Sequence, residues 1–244
     1  MAIQQFDDLN AFQKKAQTWF SKVKVSDKEK QERCDLAIDY LEIMIMLFLM
    51  IQEQEYEQAE LIAFTEERLK VLAERELGNE NIAYINDWAK NKAVQIVNDT
   101  YEKYENEIED QTIEEEQTYE TYADMVAAKQ KTEMVSIPEL DIEIPAADYW
   151  LSNERALMIG LELASTVYNF KELYDAIEAG KTRKVWETME DDRVRDTHSE
   201  VAGVDIPITE YFLVGNSYML MPMDTEHGAE MKEIAGCRCH LVCY

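Results

Sequence analysis

Three of the four cysteines crowd into the last eight residues, CRCHLVCY, and they raise the question of a metal before any other chemistry. Evenly spread cysteines mark a disulfide-stapled secreted fold, and this distribution does not resemble one. Read as a closing strand, that segment points Cys237 and Cys239 to the same face, and a turn holding His198 could reach them. Two thiolates and an imidazole suit a structural zinc ion, with a fourth ligand from His240, Cys243, Asp224, His227 or water. The competing reading is that both thiols are small buried residues or form a late disulfide, with His198 in a cap or hydrogen bond. Cys34 stands alone in a helical segment and reads as core.

Other constellations are weaker. Arg193 and Arg195 beside Asp191 and Asp192 could be a catalytic set; the structural reading is an N-cap by one aspartate and ion pairs tying a short helix to a sheet. His198-Ser199-Glu200 supplies the H-x-E of a zinc deaminase, but that chemistry needs P-C-x-x-C, and Gly236 precedes a Cys-x-Cys here. Phosphate-loop, dinucleotide, nucleophile-elbow and HExxH patterns are absent, as are internal repeats. Trp186 and the Met-rich YMLMPM (Tyr218–Met223) read as core or an adaptable contact surface.

The elements that must position these residues are mostly helical. With 7 Gly and 4 Pro in 244 residues, the chain favours helices over a sandwich or a doubly wound sheet. Apolar residues at three- and four-residue spacing from Phe6 to Val23 predict a first helix. Ser26 and Glu29 have capping-box spacing. Nothing then interrupts the helix before Gly78, apart from a bend near Gln52–Glu55. The run IMIMLFLMI is nine residues, too short for a bilayer span of about 20, and it is apolar on all faces, so it needs burial all round by this chain or a partner. A helical pair with a turn near Asp110–Thr112 is expected over 79–131. Between Thr132 and Ala147, Pro138 and Pro145 bracket alternating apolar residues, which predicts a linker or edge strand. A helix from Asp148 or Ser152 ends at Gly180, and short strands follow: VDIPI, YFLV, SYMLM and the closing segment. The expected fold is α+β: a long-helix N-terminal region over 1–135, a linker or edge strand over 136–147, and a small helix-plus-antiparallel-sheet domain over 148–244.

Net charge is −27, and residues 53–148 carry −18 of it, with 26 Asp+Glu against 8 Lys+Arg. Such a field repels nucleic acid and anionic lipid, leaving a solvated face or a basic protein partner for the acidic stretch Tyr104–Tyr122. The three bases of Lys181-Thr182-Arg183-Lys184 read as a solvated loop. The N-terminus lacks the pattern of a secretory signal, which places synthesis in a cytoplasm.

The order Gly180, Lys184-Val185-Trp186-Glu187-Thr188, Asp192-Arg193-Val194-Arg195 with His198, Gly203, the strand ending at Phe212, Met221-Pro222-Met223-Asp224, and Cys237-Arg238-Cys239 closely resembles the phage Mu protein F-like minor head protein family. The match covers about residues 150–244. Two departures stand out: Gly236 where the family has Asn, and SEVAGVDIP after His198. The resemblance implies a few-copy virion component that associates with the portal vertex during head morphogenesis and acts in genome packaging or delivery. It marks Trp186, Asp192, Arg193, Arg195, Pro222 and Arg238 as motif residues. The implied partners are the portal protein and the major capsid or scaffold protein, with neither membrane nor sequence-specific nucleic acid. The alternative function is a metal-dependent hydrolase using His198, Cys237 and Cys239 as ligands and Glu200 as general base.

Overall fold

The computed structural model describes residues 9–116, 134–137, 140, 142–145 and 149–244, and the fold is α+β. Five long helices carry the first core. They are α1 (Leu9–Phe20), α2 (Asp27–Glu53), α3 (Gln58–Leu77), α4 (Ile82–Glu116) and α5 (Asn153–Glu178), with one 3-10 turn (Asn79–Asn81) before α4. No described helix is long and apolar enough to cross a membrane.

The expected unbroken helix to Gly78 is two helices. Gln54 turns left-handed at φ 52 and its N–H bonds back to Ile51 O, because the polar stretch around it has no apolar face to bury. A capping box unread in the sequence, Glu57 with Glu60, restarts the chain as α3. At Ser26 only half the expected box forms. The Ser26 hydroxyl accepts from Glu29 N at 3.2 Å, while the Glu29 carboxylate turns to Arg33 at 2.7 Å. The turn expected near Asp110–Thr112 is absent, since α4 runs through it to Glu116.

The apolar run of α2 is buried largely by the chain itself. Leu41, Met44, Leu47, Phe48 and Ile51 join one cluster with residues of α1, α3, α4 and α5, while Met46 remains exposed. The most extensive helix pairing is α2 with α5. It is close at Gly160, where an added Cβ would lie 2.5 Å from Ala37 O. A side chain there would push the helices apart.

The segment expected to be a linker or edge strand forms a hairpin of β1 (Met134–Ile137) and β2 (Ile142–Pro145), with Ile137 and Leu140 buried in the helical cluster. The helix assigned to the C-terminal unit is shared between two cores. Ala156 to Tyr168 of α5 pack with the helices, and Leu173 and Ala176 pack with the C-terminal strands. Its ends are as read: Ser152 accepts from Arg155 N, and Gly180 at φ 74 closes the helix with its N–H on Ile177 O.

The second core is built on an antiparallel sheet in the order β4 (Asp205–Pro207), β3 (Arg183–Glu187), β7 (His240–Cys243). A separate hairpin joins β5 (Phe212–Val214) to β6 (Ser217–Met219). Two short helices, α6 (Asp196–Val201) and α7 (Met231–Ile234), complete it. On β3 the alternation turns Lys184 and Trp186 inward. Trp186 meets Phe212 edge-on at 5.4 Å, and Met219, Met221 and Met223 fill the space around them.

Candidate metal centre

The centre is assembled by a loop rather than a strand. Cys237 and Cys239 precede β7, which starts at His240, and His198 sits in α6 rather than in a turn. Each residue of the loop is held by a hydrogen bond. Gly236 N donates to Glu162 Oε1 of α5 at 2.6 Å, and Cys237 N donates to Ile234 O of α7. Arg238 makes a two-pronged bond to Asp191 at 2.6 and 2.9 Å, and Cys239 O accepts from Asn169 Nδ2 of α5. Gly236 adopts φ 66. Asn and Gly are the residue types that tolerate that region best, so the Gly-for-Asn departure preserves the backbone geometry.

On this frame His198 Nδ1 stands 3.3 Å from Cys239 Sγ and 3.6 Å from Cys237 Sγ, and one donor atom from each residue lies within 4.8 Å of the others. All three residues are buried and the thiols are free. The Cys237 thiol is pulled well below its ordinary range by the Cys239 thiol bonded to it and by His198, against the opposing effect of burial. Cys239 is pushed up, first by Cys237 and then by burial.

The other nitrogen of His198 faces an acid that the sequence reading missed. Nε2 stands 3.3 Å from Glu233 Oε2, at ion-pair distance without hydrogen-bond alignment, and both side chains are about 2% exposed. Thr197 Oγ1 donates to the same carboxylate at 2.7 Å. Gly215 makes room for it, since a Cβ there would lie 2.7 Å from Glu233 Oε1. Trp186 packs against His198, its ring edge-on at 5.6 Å, and its buried indole N–H lacks a hydrogen-bond partner of normal geometry. A cleft of about 10 Å³, lined in part by Met189, Arg193 and Arg195, opens onto the three donor residues.

The remaining expected residues fall elsewhere. The Asp224 carboxylate binds Leu220 N and His227 at 2.7 Å each, so those two form a separate pair. His240 accepts from Lys24 N, and burial drives its imidazole down to about 3. The Cys243 thiol, pushed up to about 12 by burial, lies outside the cluster. Neither aspartate caps α6: its N-cap is Arg195, whose guanidinium donates to Ala235 O, while Asp191 holds Arg238 and Asp192 is exposed. Pro222 is buried, and its carbonyl accepts from Asn169. The basic tetrad is not a free patch. Lys184 is buried with Nζ on Leu220 O, Arg183 pairs with Asp205 and Lys181 with Glu172. Cys34 is core, as read.

A cleft of about 420 Å³ lies between α4, β1 and α5, lined among others by Lys92, Asp99, Arg155 and Glu162. Arg155 inside it is stacked between Phe48 and Trp150 and donates to Thr100 Oγ1.

Fold and site together define an α+β protein whose second core closes around a buried His/Cys/Cys cluster. No protein-family model matches this chain, and neither a curated protein nor a solved structure matches it.

Proposed function

We propose that the protein is a phage minor head protein that binds the portal vertex and acts in head morphogenesis and in genome packaging or delivery. Its partners in this reading are the portal protein and the major capsid or scaffold protein, with several copies at the vertex of the virion. The observation that carries the reading is the convergence of the resemblance's motif blocks. Trp186, His198 and the Cys237-Arg238-Cys239 block come from three separated segments and meet at one centre. Pro222 joins it through Asn169, which also holds Cys239. Segments matched by chance have less reason to fold into one mutually supporting unit. The net charge of −27 favours a basic protein surface as partner over nucleic acid.

The hydrolase alternative finds its three ligands at the centre but not its general base. Glu200, its general base, is exposed two positions beyond His198 in α6, about 200° around the helix. Glu233 faces the far nitrogen of His198.

Quantitative mass spectrometry of purified DNA-filled particles tests the reading. The expected result is this protein at a level near the portal protein's and far below the shell protein's. Absence from particles would overturn it.

A further inference from the structure

We propose that His198 Nδ1, Cys237 Sγ and Cys239 Sγ bind one zinc ion, that the buried Glu233 carboxylate orients His198 from behind, and that a water in the adjoining cleft completes the coordination. This inference does not depend on the portal-binding reading.

Four observations carry it. First, Zn–S bonds of about 2.3 Å and Zn–N bonds of about 2.0 Å at tetrahedral angles separate ligand atoms by roughly 3.5–3.8 Å. The two nitrogen–sulfur separations, 3.3 and 3.6 Å, already sit near that value. Those two separations would change by no more than a few tenths of an ångström on binding, and all three donor atoms lie within 4.8 Å of one another.

Second, Glu233 lacks a better explanation. A carboxylate that is 1% exposed is costly unless it is paired, and here it receives one hydroxyl bond and the approach of a ring nitrogen. Placing a dication on Nδ1 fixes the His198 tautomer with its proton on Nε2, the nitrogen 3.3 Å from Glu233 Oε2, so that a small rotation of the ring would complete the bond. That is the carboxylate–histidine–metal arrangement which orients ligating histidines and raises their basicity. The Gly215 backbone leaves the space that this carboxylate fills.

Third, the loop is held in a conformation that serves the sulfurs. Four consecutive residues are tied to α5, to α7 and to Asp191. Such second-layer fixing is what a preorganised ligand set requires.

Fourth, the donor set has three protein members among the described residues, and the adjoining cleft of about 10 Å³ has room for about one water. Zinc with three protein ligands ordinarily takes a water in the fourth position. Nitrogen and thiolate donors together favour zinc over magnesium or calcium, which prefer oxygen.

The test uses the purified full-length chain, with metal measured by inductively coupled plasma mass spectrometry and the site read by cobalt(II) substitution. The expected result is about one zinc per chain, and thiolate-to-cobalt charge-transfer absorption after exchange. Cys237→Ser and Cys239→Ser should each lose the metal and that band. Cys34→Ser and Cys243→Ser should retain both. If the ligand variants do not fold, Glu233→Gln decides the matter, because it leaves the ligands intact. It should bind zinc about 10–100-fold more weakly in a chelator competition. A wild-type chain with negligible zinc, with Cys237 and Cys239 either freely reactive or joined in a disulfide, would overturn the proposal. So would full zinc retention in the Cys237→Ser/Cys239→Ser variant, or an unchanged affinity in Glu233→Gln.

Discussion

The two cores of this protein solve the problem of stability in different ways, and α5 belongs to both. The helical core is large and apolar, with Tyr40, Met44, Leu47, Leu61, Leu69 and Trp88 wholly buried. Its organisation follows from hydrophobic burial and close helix approach. The C-terminal core is built from three- to five-residue strands and two short helices, elements too short to be stable by propensity. Its apolar cluster around Trp186, Phe212, Met219 and Met221 is smaller, and directed polar contacts supplement it: Asn169, Asp191–Arg238, Lys184 on a carbonyl, and the His198–Cys237–Cys239 centre. The smaller core therefore depends more on each of its hydrogen bonds than the larger one does.

Breaking the comparison on the helical side should give the largest effect. Gly160→Ala places a methyl 2.5 Å from Ala37 O and 3.0 Å from Leu41 N, both backbone atoms, so the helices must separate. Overpacking of this kind costs about 1–3 kcal/mol, occasionally more, and we place this case at about 3 kcal/mol or above. Chemical denaturation of the variant against the wild type checks it.

On the C-terminal side, Asn169→Ala removes donors to Pro222 O and Cys239 O and the acceptor for Leu241 N, all at a residue 1% exposed. Orphaned buried groups cost about 1–3 kcal/mol each before relaxation, and water entry limits the net to about 2–3 kcal/mol. The sharper expectation is spatial. Amide exchange should rise across β7 and the Pro222 turn while α2 and α3 stay protected.

The smallest effect concerns pH. Hydrogen bonding to Arg238 holds the Asp191 carboxyl below its usual range, against the opposing effect of burial. A carboxyl depressed in the folded state contributes stability above its unfolded value, near 4, and that contribution is lost as pH falls through the folded value. Asp191→Asn should therefore narrow the stability difference between pH 5 and pH 3, by about 1 kcal/mol given the pair's partial exposure. Thermal melts at the two values measure it.

How much of this could be read in advance follows the same division. Helix α5 was legible at both ends, because Ser152 and Gly180 carry local chemistry that does not wait on tertiary contacts. At Gln54 the position was legible from the polar stretch Gln52–Glu55, but only as a bend: Gln and Glu are good helix formers, and the full break comes from the lack of anything to bury there. The helix through Asp110–Thr112 continues for the converse reason: no residue in that stretch forbids it. In the C-terminal core, His198, Cys237 and Cys239 were legible as residue types, and their convergence was expected from a strand that proved to be a loop. Glu233 and Asn169 carried no signal. One is an acid among 51 Asp+Glu, the other an amide mid-helix, and their importance comes from burial alone. Sharing of α5 between cores was hidden because its apolar residues cover more than one face, which identifies a buried helix and not its neighbours.

Hydrogen–deuterium exchange on the full-length chain, before and after treatment with a strong zinc chelator, tests the division most directly. The account predicts that chelation strips protection from residues 183–243, foremost α6 and β7, and leaves α2 and the first half of α5 unchanged. Protection that is the same with and without chelator, or that falls across both cores together, would contradict it.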